Sequence, residues 1–117
     1  MKKTIFHLPT CSTCVRLIRE WNTEGVEMRD IRNDKITEEE IDHMAKLAGG
    51  YEPLFSRRAM KYKSLGLKDM NLTEADYRKY ILEEETFLKR PVVIVDDEIF
   101  IGNGKADVAK AAEALER

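Results

Sequence analysis

Residues 3–21, which read KTIFHLPTCSTCVRLIREW, decide the fold. The β-branched and aromatic content of residues 3–7 predicts a short strand, which Pro9 ends. A helix is predicted to begin at Ser12, because apolar residues then recur at positions i, i+3, i+4 and i+7. These positions are Cys14, Leu17, Ile18 and Trp21. The sequence therefore predicts that the fold begins with a strand, followed by two cysteines at the start of an amphipathic helix.

The chain after this helix predicts a second strand. Gly25 is expected to stop the helix, and residues 26–31 then alternate roughly between apolar and polar side chains. Strand, helix and strand within about 30 residues form a βαβ unit. The two strands of such a unit are parallel, and the crossover is right-handed.

The middle of the chain predicts three helical segments. Thr37 can cap the first, Glu40 completes a capping box, and Gly49-Gly50 ends it. The second covers Ser56 to Leu65, with Gly66 as its stop. The third begins at Thr73 and Asp76 and runs to about Glu85.

The last part of the chain predicts a hairpin and a helix. Pro91 precedes Val92–Val95, an apolar run suited to a buried strand, and residues 96–98 turn into Ile99–Ile101. Helical spacing then recurs at Val108, Ala111, Ala112 and Leu115. The order β-α-β, helical insertion, β-β-α predicts an α/β thioredoxin-like fold with a mixed four-stranded sheet. We expect one domain over residues 1–117, with the insertion at about 37–86.

Composition limits the function classes. Twenty Lys and Arg against 22 Asp and Glu give a net charge of −2, which disfavours direct binding to nucleic acid or to acidic membranes. The apolar run near Met1 is too short for a secretory signal, and no run approaches the roughly 18 apolar residues of a membrane span. We therefore expect a cytoplasmic protein.

The dithiol Cys11–Cys14 is the predicted centre of chemistry. In a reducing cytosol, cysteines at this spacing are typical of catalytic, regulatory or metal-binding sites rather than of a permanent disulfide. Cys11 lies at the expected N-terminal edge of a helix, where amide donors and the macrodipole favour a thiolate. Cys14 lies about one turn later, where it can attack a mixed disulfide. Cys11 is thus the predicted nucleophile and Cys14 the resolving thiol.

Other interpretations of these residues stay open. Cys14 could be an inert core residue, since it lies on the apolar face of the helix. A zinc site would need two more ligands, and the histidines are His7 and His43, so we predict no metal. His7 could tune the thiolate or accept a proton, or could be structural. Ser12 and Thr13, between the cysteines, are candidates for substrate binding or thiolate tuning.

Three stretches carry a resemblance to a known family: Ile5–Cys14, Phe55–Arg58, and Lys89–Ile94 with the later Ile101-Gly102. They resemble the arsenate reductase-like (ArsC) family, which includes glutaredoxin-coupled arsenate reductases and the Spx/MgsR redox regulators of transcription. The resemblance implies that Cys11 is the nucleophile and that Arg90 stabilises the thiolate or a bound oxyanion. Arg58 falls at the arginine of the Ser-x-Arg motif of the Spx branch, or is a solvated charge. Pro91 falls where thioredoxin-like folds place a cis-proline against the nucleophilic cysteine.

Departures from the reductase pattern disfavour arsenate as the substrate. The position of Cys14 is typically serine in the arsenate reductases, whereas the Spx branch carries Cys-x-x-Cys. Leu8 replaces their usual asparagine, and residues 98–103 contain no counterpart of a further oxyanion-binding arginine.

Three functions follow from this pattern. The first is a thiol–disulfide oxidoreductase or ArsC-like reductase without a bound cofactor, using glutathione, glutaredoxin or thioredoxin as external reductant and acting on a protein disulfide. The second is an Spx-like redox regulator that binds the RNA polymerase alpha subunit; Gly49-Gly50 lies near the polymerase-contacting glycine of that branch, although a helix stop explains it equally. The third is a binding module with inert thiols.

Overall fold

The computed structural model describes all residues, Met1–Arg117, and contains one mixed sheet and five α-helices. The strands are β1 (Lys3–His7), β2 (Glu27–Asp30), β3 (Val92–Val95) and β4 (Glu98–Ile101). The helices are α1 (Ser12–Glu20), α2 (Glu38–Ala48), α3 (Met60–Ser64), α4 (Glu74–Glu83) and α5 (Lys105–Leu115). The predicted α/β class and mixed four-stranded sheet are confirmed. None of the helices combines the length and apolar character that a membrane crossing requires.

The sheet belongs to a compact unit formed by Met1–Lys35 and Arg90–Arg117. Its strand order is β2-β1-β3-β4, with β1 parallel to β2 and the other neighbours antiparallel. Ile5, in the middle of β1, is fully buried. The residues that pack into this core are Ile5, Leu17, Trp21, Val93, Val95, Ala111, Ala114 and Leu115. Their burial holds α1 and α5 on the sheet.

The second compact unit is Ile36–Lys89, which contains the segment predicted as a helical insertion. The predicted capping box of Thr37 with Glu40 is present at α2, and α4 begins at the predicted position with a second capping box, Thr73 with Asp76. Phe55 is the centre of an aromatic cluster, with ring centroids of its neighbours 4.9 to 6.0 Å away. The expectation of one domain over the whole chain stays a prediction.

Two predicted helix boundaries are wrong. α1 ends at Glu20, where Trp21 turns to an extended conformation and buries its ring in the core; Gly25 lies in the later turn, with φ of +72°. α3 begins at Met60 rather than Ser56, because the Ser56 N–H donates to the carbonyl of Phe87 at 2.7 Å and residues 57–58 form a turn before the helix.

Three short 3₁₀ helices were not predicted. They lie at Glu52–Leu54, Leu67–Asp69 and Glu85–Phe87. The last follows α4, which ends at Glu83, close to the predicted end at about Glu85.

Candidate active site

Cys11 is the N-cap residue of α1. Its backbone is extended, with φ of −86° and ψ of 108°, and its carbonyl accepts the N–H of Val15 at 3.1 Å. The Cys11 N–H donates to the carbonyl of Leu8 at 3.2 Å, which closes the loop between β1 and α1. The side chain is partly exposed, and the thiol is free. The thiol therefore lies where the first amides of a helix stay available to an anion.

The surroundings of Cys11 favour its thiolate. Burial alone raises the pKa of this thiol, but backbone and side-chain hydrogen bonds from Cys14, followed by a hydrogen bond and the positive charge of Arg90, bring it below its usual value. Each of these groups interacts more favourably with the charged sulfur than with the neutral one. Cys11 consequently has the character of an attacking thiol.

Cys14 has the opposite character. Its side chain is fully buried, and burial is the largest of the effects that raise its pKa to about 11. A backbone hydrogen bond with Leu8 opposes this rise, while the adjacent Cys11 adds to it and Arg90 lowers it again. The pKa values of the two neighbouring thiols are thus shifted in opposite directions, downward for Cys11 and upward for Cys14.

Arg90 and Pro91 lie immediately before β3, and the peptide bond between them is cis. Pro91 is buried, and its carbonyl accepts the N–H of Gly102 at 2.9 Å, which ties this bond to the end of β4. The structure therefore brings together Cys11, Cys14 and Arg90, the three residues predicted as catalytic.

His7 ends β1 and lies opposite Asp30 of β2 in the parallel register. Desolvation lowers the pKa of His7, and the charge of Asp30 opposes that change. The Asp30 carboxylate also accepts the N–H groups of Arg32 and Asn33 at 3.0 and 3.3 Å, so it closes the turn after β2. The negative charge that acts on His7 therefore comes from Asp30, a carboxylate that also stabilises the turn after β2.

The family model of the ArsC family matches residues 6–111. The chain belongs to the ArsC family. The regulatory protein MgsR of Bacillus subtilis is 22% identical over 114 residues, covering 94% of this chain and 90% of MgsR. An arsenate reductase of Haemophilus influenzae is 26% identical over 106 residues, covering 87% of this chain and 91% of the reductase. The crystal structure of an ArsC family related protein from Bacteroides fragilis superposes with a TM-score of 0.78 at 25% identity, covering 95% of this chain and 98% of that one.

This ArsC-family chain has a surface cavity of about 540 Å³ beside the cysteine loop. Its lining includes Ser12, and Thr13 is half-buried in the first turn of α1. Thr10, also in the lining, accepts a hydrogen bond from Arg32 Nη1 at 3.0 Å. The sequence did not indicate Thr10 or Arg32, because their contact depends on the turn that follows β2.

Arg58 lies in the second unit, where its side chain is exposed and its backbone N–H donates to Ser56 Oγ at 3.3 Å. The two glycines after α2 have a structural role of their own. Gly49 caps the helix with φ of +84°, and the Gly50 N–H donates to the carbonyl of Ala45 at 2.8 Å. A Cβ at Gly50 would lie 2.7 Å from Glu74 Oε1.

Proposed function

We propose that this ArsC-family protein is a thiol–disulfide oxidoreductase in which Cys11 attacks and Cys14 resolves. The observation that carries the proposal is the opposite shift of two neighbouring thiols: the pKa of Cys11 is lowered, whereas that of Cys14 is raised to about 11. A reaction that uses two thiols in succession needs this difference in pKa. One sulfur must be ionised to attack the substrate, and the other must stay protonated until the mixed disulfide has formed.

In the first step the Cys11 thiolate attacks one sulfur of a substrate disulfide. A bond forms between Cys11 Sγ and that sulfur, and the substrate S–S bond breaks with loss of the other sulfur as thiolate. Arg90, which hydrogen bonds to Cys11, is placed to interact with the charge as it moves from the attacking to the leaving sulfur.

The second step uses the change in charge at Cys11. Burial keeps the pKa of Cys14 high, and the negative sulfur of Cys11 raises it further. That second effect disappears when Cys11 is in the mixed disulfide, whereas the opposing effect of Arg90 remains. Cys14 then loses its proton to solvent and attacks Cys11 Sγ. The Cys11–Cys14 disulfide forms, and the second half of the substrate leaves as thiolate.

One cycle oxidises the two protein thiols by two electrons and reduces the substrate disulfide by two. An external dithiol protein of the glutaredoxin or thioredoxin class, or two molecules of glutathione, returns the pair to the reduced state. Such reductants are abundant in the cytoplasm, the compartment that we propose for the protein.

The test compares wild type with Cys11→Ser and Cys14→Ser on glutathione-mixed disulfides, oxidised protein substrates and arsenate. We expect Cys11→Ser to abolish turnover. The Cys14→Ser variant should accumulate a mixed disulfide at Cys11, visible as added mass that a reductant removes. Turnover that survives Cys11→Ser on every substrate, or an absence of Cys11-dependent turnover in wild type, refutes the proposal.

A redox regulator is the second candidate, and the similarity to MgsR over 94% of this chain favours it. In this function the same dithiol is the sensor, and the output is binding to the C-terminal domain of the RNA polymerase alpha subunit. A pull-down with that domain, comparing reduced with oxidised protein, tests it. Binding that differs between the two states supports the regulator, and absence of binding in both rejects it.

A further inference from the structure

The segment Arg57–Met70 of the second unit differs in charge from the rest of the chain. It holds five basic residues and a single acidic one, although the whole protein has a net charge of −2. It also holds three large apolar side chains that face solvent. They are Met60, Leu65 and Met70, with 87%, 54% and 52% of their surfaces exposed. The proposed thiol chemistry uses none of these side chains.

A cavity of about 720 Å³ lies in the first half of this segment. Its lining consists of Arg57, Arg58, Ala59, Met60, Lys63 and Ser64. The cavity thus combines three cationic side chains with an exposed thioether, and no carboxylate lines it. Methionine and arginine are both enriched at protein interfaces, whereas an isolated exposed methionine costs solvation free energy without a partner.

The cations of this cavity differ in how they are held. Arg57 is fixed, because its guanidinium lies over the rings of Phe55 and Tyr77, at 6.0 and 5.7 Å, and donates to Tyr77 Oη at 3.1 Å. Glu52 accepts from the same nitrogen at 3.4 Å, so this charge is partly neutralised. A ligand would therefore meet a preordered arginine on one wall of the cavity.

Lys63 is a cation without an intramolecular carboxylate partner, unlike its neighbour Lys61, which pairs with Glu84 at 2.8 Å. The side chain of Arg58 likewise forms no ion pair. Two exposed positive charges are consequently available to an incoming anion, with Met60 lining the same cavity.

From this combination we infer that the Arg57–Ser64 cavity is a docking site for an acidic polypeptide segment that carries an apolar anchor side chain. Carboxylates of the partner pair with Arg58 and Lys63, and a leucine, phenylalanine or methionine packs on Met60. Charge complementarity indicates the acidic character, and the exposed methionine indicates a polypeptide rather than a nucleic acid, whose phosphate contacts gain little from an apolar side chain.

The experiment selects ligands without assuming their sequence. Random peptides of about twelve residues, displayed on phage, are selected on the full-length reduced protein and counter-selected on Lys63→Glu. We expect enrichment of acidic residues around one large apolar residue. Fluorescence anisotropy with the most enriched peptide then measures Kd for wild type, Lys63→Glu and Met60→Ser, each checked for folding by circular dichroism.

Both substitutions are expected to raise Kd by about tenfold, as for a residue central to a small interface. The matched control Arg19→Glu reverses an exposed charge on α1 and should leave Kd within about twofold. Selection that yields no binder, a peptide whose leucine-to-serine version binds equally well, or an equal effect of Arg19→Glu overturns the inference. Displacement of the peptide by duplex DNA, together with no effect of Met60→Ser, also overturns it and indicates a phosphate-binding surface.

Discussion

Replacing Arg90 by glutamine tests how the nucleophile is activated. Burial raises the pKa of Cys11, and Arg90 is one of the groups that lower it, through a hydrogen bond and through its charge. Glutamine keeps a hydrogen-bond donor but removes the charge and the planar guanidinium. The Cys11→Ser variant cannot answer this question, because it removes the sulfur itself.

The expected change in the reactivity of Cys11 can be calculated from the loss of one charge-assisted hydrogen bond, the bond between Arg90 and Cys11. Such a bond contributes about 1.5 kcal/mol at the lower end of its range, which is the appropriate end for a partly exposed thiol such as Cys11. Its loss reduces the thiolate population of Cys11 about tenfold at pH values below the pKa of that thiol. The remaining thiolate is about threefold more nucleophilic, because nucleophilicity rises with basicity. We therefore expect the alkylation rate of Cys11 to fall about threefold and its pH midpoint to move upward.

The assay is the pH dependence of iodoacetamide alkylation, with Cys11 and Cys14 followed separately by peptide mass spectrometry. Arg90→Lys should recover part of the rate, since it restores the charge but not the guanidinium, whereas Arg19→Gln on the same helix as the cysteines should change nothing. Circular dichroism checks that each variant folds. An Arg90→Gln midpoint equal to that of wild type refutes the assignment of Arg90 to thiolate stabilisation.

Three further predictions concern the free energy of unfolding, which is measured by urea denaturation. Thr37→Ala removes the side chain that accepts the Glu40 N–H at 3.1 Å and should cost about 1 kcal/mol. Gly50→Ala should cost more than about 1 kcal/mol, because φ is +153° and the new Cβ would lie 2.7 Å from Glu74 Oε1. Leu17→Ala should cost about 2–5 kcal/mol, since Leu17 is buried in the core beneath the sheet.

The substitutions at Gly50 and Leu17 each have a matched control. Gly25 also has a positive φ, of +72°, but no atom stands within 4 Å of its added Cβ, so Gly25→Ala should be the milder glycine substitution. Val15 is exposed on α1, and Val15→Ala should change stability by less than about 0.5 kcal/mol. Equal losses for either pair, or a Thr37→Ala variant as stable as wild type, contradict the corresponding contact.

The elements that could be predicted are those whose signals are local. The strand at residues 3–7 and the helix starts at Thr37 and Thr73 depend on a few consecutive residues, and they lie as predicted. The end of α1 was mispredicted because Trp21 is held by the core, which opposes continuation of the helix towards Gly25. Tertiary packing decided that boundary, not propensity.

In the candidate site, too, the features that local sequence signals determine could be predicted, and those that depend on tertiary packing could not. The position of Cys11 at a helix start followed from the sequence, and the resemblance to the ArsC family indicated Arg90. The Arg32–Thr10 hydrogen bond could not be predicted, since it links a loop to a turn that only the sheet register brings close. The pairing of His7 with Asp30 depends on the same register, and no spacing along the chain signals it.

The place of β1 in the sheet has a consequence for synthesis on the ribosome. β1 is made early, but its antiparallel partner, Val92–Val95, is made only after the whole of Ile36–Lys89. One edge of β1 therefore lacks its backbone partners in the nascent chain until Val92–Val95 emerges. Arg90 arrives with that late segment. Cys11 therefore gains the hydrogen bond and the positive charge of Arg90, which help to lower its pKa, only after this segment has been made.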